Sequence, residues 1–269
     1  ILTLEGKLNF QWKKLKQKKY LNVPKIIGHR GVKDLAPENT LDSIIEAFRI
    51  GLKWIEIDVK ISKDNIPFLL HDDDFDRTTN GTGIASSYNY SQIKKLDAGK
   101  FFYKKDTKIY PPTLKEVLSL CKKNKRGINI ELKPNLGLEK INVEEILKIT
   151  NLFKEYVPLY FSSFDLDSCI AVKEISSSNS CGILIHNFNY YSFEEILKII
   201  EKFKFFSCGL SIKIINTELV KKLKNMNQLI TVFSEKNITN EQALYLWNIG
   251  VDSIFSDDPR DILYNFNSF

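Results

Sequence analysis

The sequence predicts one (β/α)8 barrel, an α/β fold, with a small lobe inserted after its second strand. The first reason is length, because 269 residues suit a single α/β barrel. The second is the alternation of short apolar runs with stretches of helical periodicity. The third is the stretch 72–112, rich in Gly, Thr, Asn, Tyr and Lys, which interrupts this alternation. We therefore assign residues 25–269 to the barrel and residues 1–24 to an N-terminal basic segment.

Nine short apolar runs have the length and composition of strands. They are Lys25–His29, Trp54–Lys60, Ile66–Leu70, Gly127–Lys133, Leu159–Ser163, Cys181–Ile185, Cys208–Ile212, Leu229–Phe233 and Asp252–Ser256. Too few residues separate Asp58 from Ile66 for a helical crossover, and Ser62-Lys63-Asp64-Asn65 is typical of a turn. We therefore expect the third run to be a hairpin arm that returns along the second strand.

Eight stretches have the spacing of amphipathic helices. They are Leu41–Ile50, Leu114–Lys123, Val143–Tyr156, Ser168–Ile175, Phe193–Lys202, Thr217–Met226, Asn240–Ile249 and Pro259–Tyr264. The first follows a cap-like Asn39-Thr40 pair and ends before Gly51. Once the hairpin arm is set aside, eight strands remain for eight helices, which favours a closed barrel over an open parallel sheet.

The composition is that of a soluble globular protein, with 43% hydrophobic and 27% charged residues. No uninterrupted apolar run is long enough to cross a bilayer, so we do not expect an integral membrane protein. The net charge of +6 suits an anionic ligand. A Lys-rich chain reaches that charge without any such purpose, however, and we favour this simpler explanation.

The cysteines indicate a reducing environment. Cys121, Cys169, Cys181 and Cys208 lie far apart and form no C-x-x-C pair, which argues against a zinc site and against a disulfide framework. We expect buried free thiols and hence a cytoplasmic location. A chain that starts at Ile1 is also compatible with removal of a leader segment, so the first residues do not settle the location.

Two predicted strands carry ionic side chains on one face only. In WIEIDVK, isoleucines alternate with Glu56 and Asp58, and in INIELK apolar residues alternate with Asn129, Glu131 and Lys133. Such alternation normally marks a solvated face. A barrel strand has no such face, because its apolar side packs on the surrounding helices. The ionic side chains must then point inward, and the three carboxylates converge near the carboxyl-terminal rim.

Three unpaired carboxylates in a poorly solvated barrel mouth are costly, and a divalent cation removes that cost. Ligation by oxygen alone favours Mg²⁺ or Ca²⁺ over zinc. The alternative is an internal ion-pair network in which Arg30 and Lys133 neutralise the acids without a metal. Of the two, we favour the metal site.

Histidines and an arginine are predicted at the same rim. His29 and Arg30 end the first strand in the tripeptide HRG, and His71 ends the hairpin arm. A lone histidine is more often structural, but two histidines beside acids and cations supply a base, an acid and anion-binding groups together. His186 follows the strand CGILI and could also reach the rim, but we assign it a structural role because the sequence offers it no partner.

A series of short motifs in a fixed order resembles the glycerophosphodiester phosphodiesterase family. The motifs are His29-Arg30-Gly31, Pro37-Glu38-Asn39-Thr40, Glu56-x-Asp58, His71-Asp72, Arg77-Thr78-Thr79-Asn80-Gly81-Thr82-Gly83, Leu96-Asp97-Ala98-Gly99, Glu131-Leu132-Lys133, Ser163-Phe164 and Gly250-Val251-Asp252-Ser253-Ile254-Phe255-Ser256-Asp257. Each is weak alone. Their ordered occurrence at strand ends across about residues 25–260 is specific.

The resemblance implies hydrolysis of glycerophosphodiesters such as glycerophosphocholine or glycerophosphoethanolamine to sn-glycerol 3-phosphate and an alcohol. It also implies one divalent cation, Mg²⁺ or Ca²⁺, and a role for each candidate side chain. By position, His29 and His71 resemble the acid–base pair, Glu56, Asp58 and Glu131 the metal ligands, and Arg30 and Lys133 the phosphate-binding cations.

The seventh barrel strand departs from the family pattern. Where the family commonly has a Trp-Thr-Val-Asn-like stretch, this chain has Phe233-Ser234-Glu235-Lys236. The aromatic ring stays but the indole N–H donor is lost, so we expect Phe233 to bind substrate and to change substrate preference rather than the chemistry. If Phe233 instead packs in the barrel core, its role is structural.

Two other functions are compatible with parts of the sequence. A lysophospholipase D-like enzyme acting on membrane lysophospholipids would use the basic, aromatic stretches Leu8–Leu21 and Phe101-Phe102-Tyr103-Lys104-Lys105. We favour the view that each packs its apolar side on the barrel. A non-catalytic barrel that binds anions or nucleic acid would explain the basic charge, but no nucleic-acid-binding module is recognisable, so we expect a small-molecule substrate and no nucleic-acid partner.

Overall fold

The computed structural model describes residues 21–266, and eight of its strands close into a parallel barrel. The strands are β1 (Ile26–Gly28), β2 (Trp54–Ile61), β3 (Pro67–Leu69), β4 (Gly127–Leu132), β5 (Leu159–Ser163), β6 (Cys181–Ile185), β7 (Ser207–Ser211), β8 (Leu229–Phe233) and β9 (Ser253–Ser256). Pairing of β1 with both β2 and β9 closes the barrel. Strand β3 lies antiparallel on β2, as predicted for the hairpin arm. The (β/α)8 fold class is confirmed.

The helices follow the strands in the expected alternation. Between residues 21 and 266 they are α1 (Leu41–Arg49), α2 (Tyr90–Ile93), α3 (Lys100–Tyr103), α4 (Leu114–Asn124), α5 (Glu139–Thr150), α6 (Leu166–Ile175), α7 (Phe193–Phe203), α8 (Thr217–Asn225), α9 (Asn240–Asn248) and α10 (Arg260–Phe266). Hydrogen bonds from capping side chains determine where several of these helices begin. Thr40, for example, accepts a hydrogen bond from the backbone N–H of Ser43, which sets the first turn of α1.

The predicted helix Val143–Tyr156 was wrong at both ends. The helix begins at Glu139 and ends at Thr150, after which the chain continues in turns. Phe153 and Val157 are buried in those turns, so the apolar spacing continues although the helix has ended. The first turn was missed because its residues are mostly polar.

Apolar side chains form two layers around the strands. Ile55, Ile57 and Ile128 belong to the layer between the strands and the helices. A second, smaller cluster inside the barrel includes Trp54 and Tyr160. Burial of each large side chain stabilises the fold by about 1.5–3 kcal/mol. These aromatic rings fill the amino-terminal end of the barrel interior. The charged side chains of the interior lie toward the carboxyl-terminal end.

The stretch 72–112 lies between β3 and α4 and has a small apolar cluster of its own. Phe75 and Ile93 from this stretch pack with Phe68 and Leu70 from the hairpin arm. Its short helices α2 and α3 were not predicted. The buried carboxylate of Asp97 accepts hydrogen bonds from backbone amides of this lobe, which fixes the loop between α2 and α3.

Other predictions concern cysteines, membranes and the N-terminal segment. The four cysteines are buried and free, as expected. Within residues 21–266, no helix combines the length and the apolar character that a bilayer crossing requires. The basic stretch Leu8–Leu21 lies outside the described residues except for Leu21, which packs on the inner aromatic cluster.

Candidate active site

The HRG turn places two side chains at the carboxyl-terminal rim. Arg30 and Gly31 have positive φ angles of 50° and 82°, so the chain reverses sharply after β1. A side chain at position 31 would overlap Ser43, which explains the glycine. The turn also directs the backbone N–H of Arg30 at Oε2 of Glu56, 3.0 Å away. The backbone after β1 is thereby tied to the acidic residues of β2.

Three carboxylates converge inside this rim, as the alternation in β2 and β4 predicted. Asp58 and Glu131 are register partners on neighbouring strands, and Glu56 lies one inward position earlier on β2. Ligand oxygens of the three residues lie within 4.8 Å of one another, and all three residues are buried.

Cations lie among these carboxylates. Nε of Arg30 is 3.2 Å from Oδ2 of Asp58, and Nζ of Lys133 is 2.6 Å from Oε1 of Glu131 and 3.6 Å from Oδ1 of Asp58. Burial alone would raise the pKa of Asp58, but these two cations hold the pKa below its ordinary value. Part of the predicted ion-pair network is therefore present.

Glu56 is not neutralised in the same way. Its Oε2 accepts the Arg30 amide, while its Oε1 is buried and finds no hydrogen-bond partner within residues 21–266. Burial and repulsion by Asp58 and Glu131 raise the pKa of Glu56 well above its ordinary value. Glu131 Oε1 has Lys133 beside it, but Glu56 Oε1 has no ion pair among residues 21–266. A buried acidic cluster with such an oxygen fits a hard divalent cation, which would compensate the negative charge that Arg30 and Lys133 do not neutralise.

Asn39 positions Asp58 from outside the barrel strands. Its side-chain N–H donates to Oδ2 of Asp58 at 2.8 Å, and its side-chain oxygen accepts the backbone N–H of Asp58 at 3.1 Å. Asn39 has a φ of 55°, a left-handed conformation that asparagine tolerates better than most residues. This backbone turn brings its amide into the site.

His29 is held by a carboxylate from the last strand end. Nδ1 of His29 lies 2.6 Å from Oδ1 of Asp257, whose other oxygen is 3.1 Å from Nζ of Lys33. With Asp257 ionised, Nδ1 is the donor, and Nε2 lies 4.0 Å from Oε2 of Glu56. Burial lowers the pKa of His29 even though the Asp257 hydrogen bond opposes this.

His71 has an analogous partner in the lobe. Its Nδ1 lies 2.6 Å from Oδ1 of Asp72, and Nε of Arg77 donates to Oδ2 of Asp72 at 2.6 Å. Arg77 also forms two hydrogen bonds with Glu38, at 2.7 and 2.8 Å, and Glu38 accepts a further one from Arg30 at 2.8 Å. Burial lowers the pKa of His71. The lobe is thereby connected to the barrel rim through Glu38.

Phe233 lies at the end of β8, half-buried, between two aromatic neighbours. Its ring centroid is 5.1 Å from that of Phe164 and 6.3 Å from that of His186, which is exposed. Nζ of Lys133 lies 5.4 Å from the centre of the Phe164 ring. The face formed by Phe233 and Phe164 is therefore next to the carboxylate cluster. Phe233 also packs on the inner aromatic cluster of the barrel.

The structure adds side chains to which the sequence reasoning assigned no role. They are Lys33, Glu38, Asn39, Asp72, Arg77 and Asp257. Most lie within the motifs that resemble the family, where the sequence alone indicates no individual role for them. The position of Asp257 directly after the last strand could have indicated a site residue at the rim. Its neighbours Asp258 and Pro259, however, are also typical of the start of a helix.

Comparison with known proteins agrees with this geometry. The model of the glycerophosphoryl diester phosphodiesterase family matches residues 29–261. A glycerophosphodiester phosphodiesterase of Bacillus altitudinis is 32% identical over 247 residues, which are 87% of this chain and 95% of that protein. The structure of an Oleispira antarctica phosphodiesterase in complex with the product sn-glycerol-3-phosphate has a TM-score of 0.85 and 30% identity, covering 91% of this chain and 97% of that one. The chain belongs to the glycerophosphoryl diester phosphodiesterase family of hydrolases.

Proposed function

We propose that this enzyme uses a divalent cation, Mg²⁺ or Ca²⁺, to hydrolyse glycerophosphodiesters such as glycerophosphocholine and glycerophosphoethanolamine to sn-glycerol 3-phosphate and an alcohol. The observation that carries the proposal is the position of Glu56. Its orphaned carboxylate oxygen is buried in an acidic cluster whose nearest histidine nitrogen, on His29, lies 4.0 Å from the other oxygen. Metal-binding and proton-transferring groups are thus adjacent.

Glu56, Asp58 and Glu131 would hold the cation, which supplies electrostatic stabilisation of the charge that develops on the phosphoryl oxygens. Arg30 and Lys133 would face the same oxygens, since their charged groups already lie against the cluster. Arginine suits this position because its planar fork matches two phosphate oxygens.

His29 and His71 would move the protons. Each donates Nδ1–H to an aspartate, which leaves Nε2 for the reaction. One ring deprotonates the attacking hydroxyl, and the other protonates the leaving alkoxide. General acid–base catalysis of this kind contributes about 10²–10⁴-fold. The attacking group is water or the glycerol hydroxyl of the substrate, and the second route passes through a cyclic phosphate.

A substrate panel tests the proposal. Chelated protein is assayed on glycerophosphocholine, glycerophosphoethanolamine and a lysophospholipid, each with Mg²⁺, with Ca²⁺ and with neither. We expect release of sn-glycerol 3-phosphate from the first two substrates only when a cation is added. Turnover of the lysophospholipid alone would replace this substrate class by the lysophospholipase D alternative, and full turnover without cation would remove the metal.

A further inference from the structure

The lobe presents three consecutive aromatic side chains to solvent. Phe101, Phe102 and Tyr103 of α3 are 52%, 40% and 41% exposed, and none of the four residues of this helix is buried. About half of each residue therefore stays open to solvent, so this stretch packs on the barrel only in part, with Tyr103 near Asp42 and Glu46 of α1. The rings of Phe102 and Tyr103 contact each other edge to face, with centroids 5.1 Å apart. Contiguous exposed aromatic rings mark an interaction surface more often than scattered ones do.

Lysines surround these rings. Lys104 and Lys105 are exposed and Lys100 is half-buried, and among residues 21–266 Lys104 and Lys105 have no ion pair. Two acids of the lobe are already engaged, since Asp106 pairs with Lys100 at 2.8 Å and Asp97 is buried against backbone amides. Asp42 and Glu46 of α1 lie near the Tyr103 side chain rather than in an ion pair with Lys104 or Lys105. The aromatic turn, defined as Lys100–Lys105, thus combines apolar rings with two exposed lysines that form no ion pair in the described part of the chain.

The aromatic turn lies close to the mouth of the active site. Ala98, only two residues before it, lines a small cavity together with His71 and Glu38. The Asp97 hydrogen bonds fix the chain at this point, so the turn projects from an anchored loop. A surface that bound the rings would face the same end of the barrel as the candidate catalytic groups.

We propose that the aromatic turn binds an anionic lipid surface. Aromatic rings partition to the boundary between head groups and acyl chains, and lysines are attracted to anionic head groups. A stable protein interface needs roughly 20–30 residues on each side, many more than this turn supplies. A lipid surface has no such minimum. The proposal is independent of the reaction proposed above, because binding to vesicles is measured without turnover.

Sedimentation with vesicles tests the proposal on the full chain. The vesicles are phosphatidylcholine alone or an equal mixture of phosphatidylcholine and phosphatidylglycerol, at low and at high salt. We expect wild type to bind the mixed vesicles at low salt. The double variant Phe101→Ser/Phe102→Ser should bind at least about tenfold more weakly, and Lys104→Gln/Lys105→Gln should lose about fivefold for each lysine and most of the salt dependence.

A matched control removes exposed apolar side chains elsewhere. Leu152 and Tyr156 are 62% and 58% exposed, and Nζ of Lys122 lies 3.6 Å from the centre of the Tyr156 ring. They follow α5 and precede β5, so they lie at the opposite end of the barrel. Leu152→Ser/Tyr156→Ser should bind vesicles like wild type. All variants should keep the wild-type unfolding midpoint and the wild-type rate on a soluble glycerophosphodiester.

Three results would overturn the proposal. One is absence of binding of wild type to mixed vesicles, and another is undiminished binding of Phe101→Ser/Phe102→Ser, which would assign binding to another segment. The third is a lipid-free dimer that this variant converts to a monomer in sedimentation equilibrium, which would make the turn an interface between copies. If the substrate panel shows no turnover while vesicle binding behaves as expected, only the proposed function fails.

Discussion

The two histidines of the site make the same contact in two different settings. Nδ1 of each lies 2.6 Å from an aspartate oxygen. His29 and Asp257 follow barrel strands, and the His29 side chain is 16% exposed. His71 and Asp72 lie where the hairpin arm enters the lobe, and the His71 side chain is 32% exposed. One pair belongs to the closed barrel, whereas the other depends on an insertion.

The difference lies in how each aspartate is fixed. The backbone N–H of Asp257 donates to Asn237 at 3.0 Å, so the strand end and its loop hold this residue in place. Asp72 is held instead by Arg77, which reaches it from the lobe and binds Glu38 at the same time. Arg77 is therefore a candidate positioning residue, because it connects Asp72, the partner of one candidate catalytic ring, to Glu38 at the barrel rim.

Removal of either ring should have the largest effect. We expect His29→Ala and His71→Ala each to lower kcat by about 10²–10⁴-fold with little change in KM or in unfolding midpoint, because both rings act in the transition state. Steady-state kinetics on glycerophosphocholine give both constants. The double variant should lose less than the product of the single losses. Multiplicative losses would mean independent roles, and a normal rate in either single variant would eliminate that ring.

Replacement of the aspartates should separate the two settings. Asp257→Asn should lower kcat by about 10²-fold and Asp72→Asn by about tenfold, because an unpaired group costs more in the more buried position. The more exposed His71 can replace its lost carboxylate with water. Equal losses would show that burial does not distinguish the two pairs, and a larger loss for Asp72→Asn would reverse the comparison.

Arg77 and Lys33 provide the next, smaller comparison. Arg77→Gln should lower kcat about threefold to tenfold, a modest loss because solvent screens the half-exposed Arg77. Lys33→Gln should change kcat by less than about threefold, because Asp257 keeps its backbone hydrogen bond to Asn237. Arg77→Lys should restore part of the loss, since one charged contact to Asp72 can re-form.

Proton NMR of ¹⁵N-histidine-labelled protein distinguishes positioning from a general structural effect. The chain has only three histidines, so the His29 and His71 variants assign the downfield Nδ1–H signals. In Arg77→Gln we expect the His71 signal to weaken or shift while the His29 signal stays. A change in both signals, or in neither, would contradict the positioning role.

At Phe233 we expect an effect on substrate binding and preference rather than on the chemical step. Its ring offers the substrate apolar surface worth about 0.5–1.5 kcal/mol, so Phe233→Ala should raise KM up to about tenfold. Phe233→Trp restores an N–H donor and should change the relative preference among glycerophosphodiesters. Comparison of kcat/KM for two head groups, with thermal unfolding as the control, tests this. Unchanged preference with a stability loss of about 3–5 kcal/mol would make Phe233 a core residue.

The barrel and its carboxylates were predictable because both depend on local alternation. Ile55 and Ile57 could face only the helices, which left Glu56 and Asp58 no direction but inward. Strand periodicity therefore specified the elements and the acidic cluster together.

The contacts that hold the histidines were not predictable in this way. Asp257 meets His29 only because β9 pairs with β1 when the barrel closes, 228 residues apart in sequence. Arg77 meets Glu38 through the fold of a lobe that lacks regular periodicity. Likewise, the sequence pattern of the aromatic turn is compatible with packing on the barrel, but it could not indicate how much of the three rings stays exposed.

Cation binding by Glu56 tests the central claim most directly. Calorimetric titration of chelated wild type with Mg²⁺ or Ca²⁺ should show one saturable site. Glu56→Gln should abolish that binding because it removes the carboxylate that Arg30 and Lys133 do not neutralise, while Asp72→Asn, outside the cluster, should keep it. No binding by wild type, or equal binding by Glu56→Gln, would contradict the account and leave the cluster as an ion-pair network.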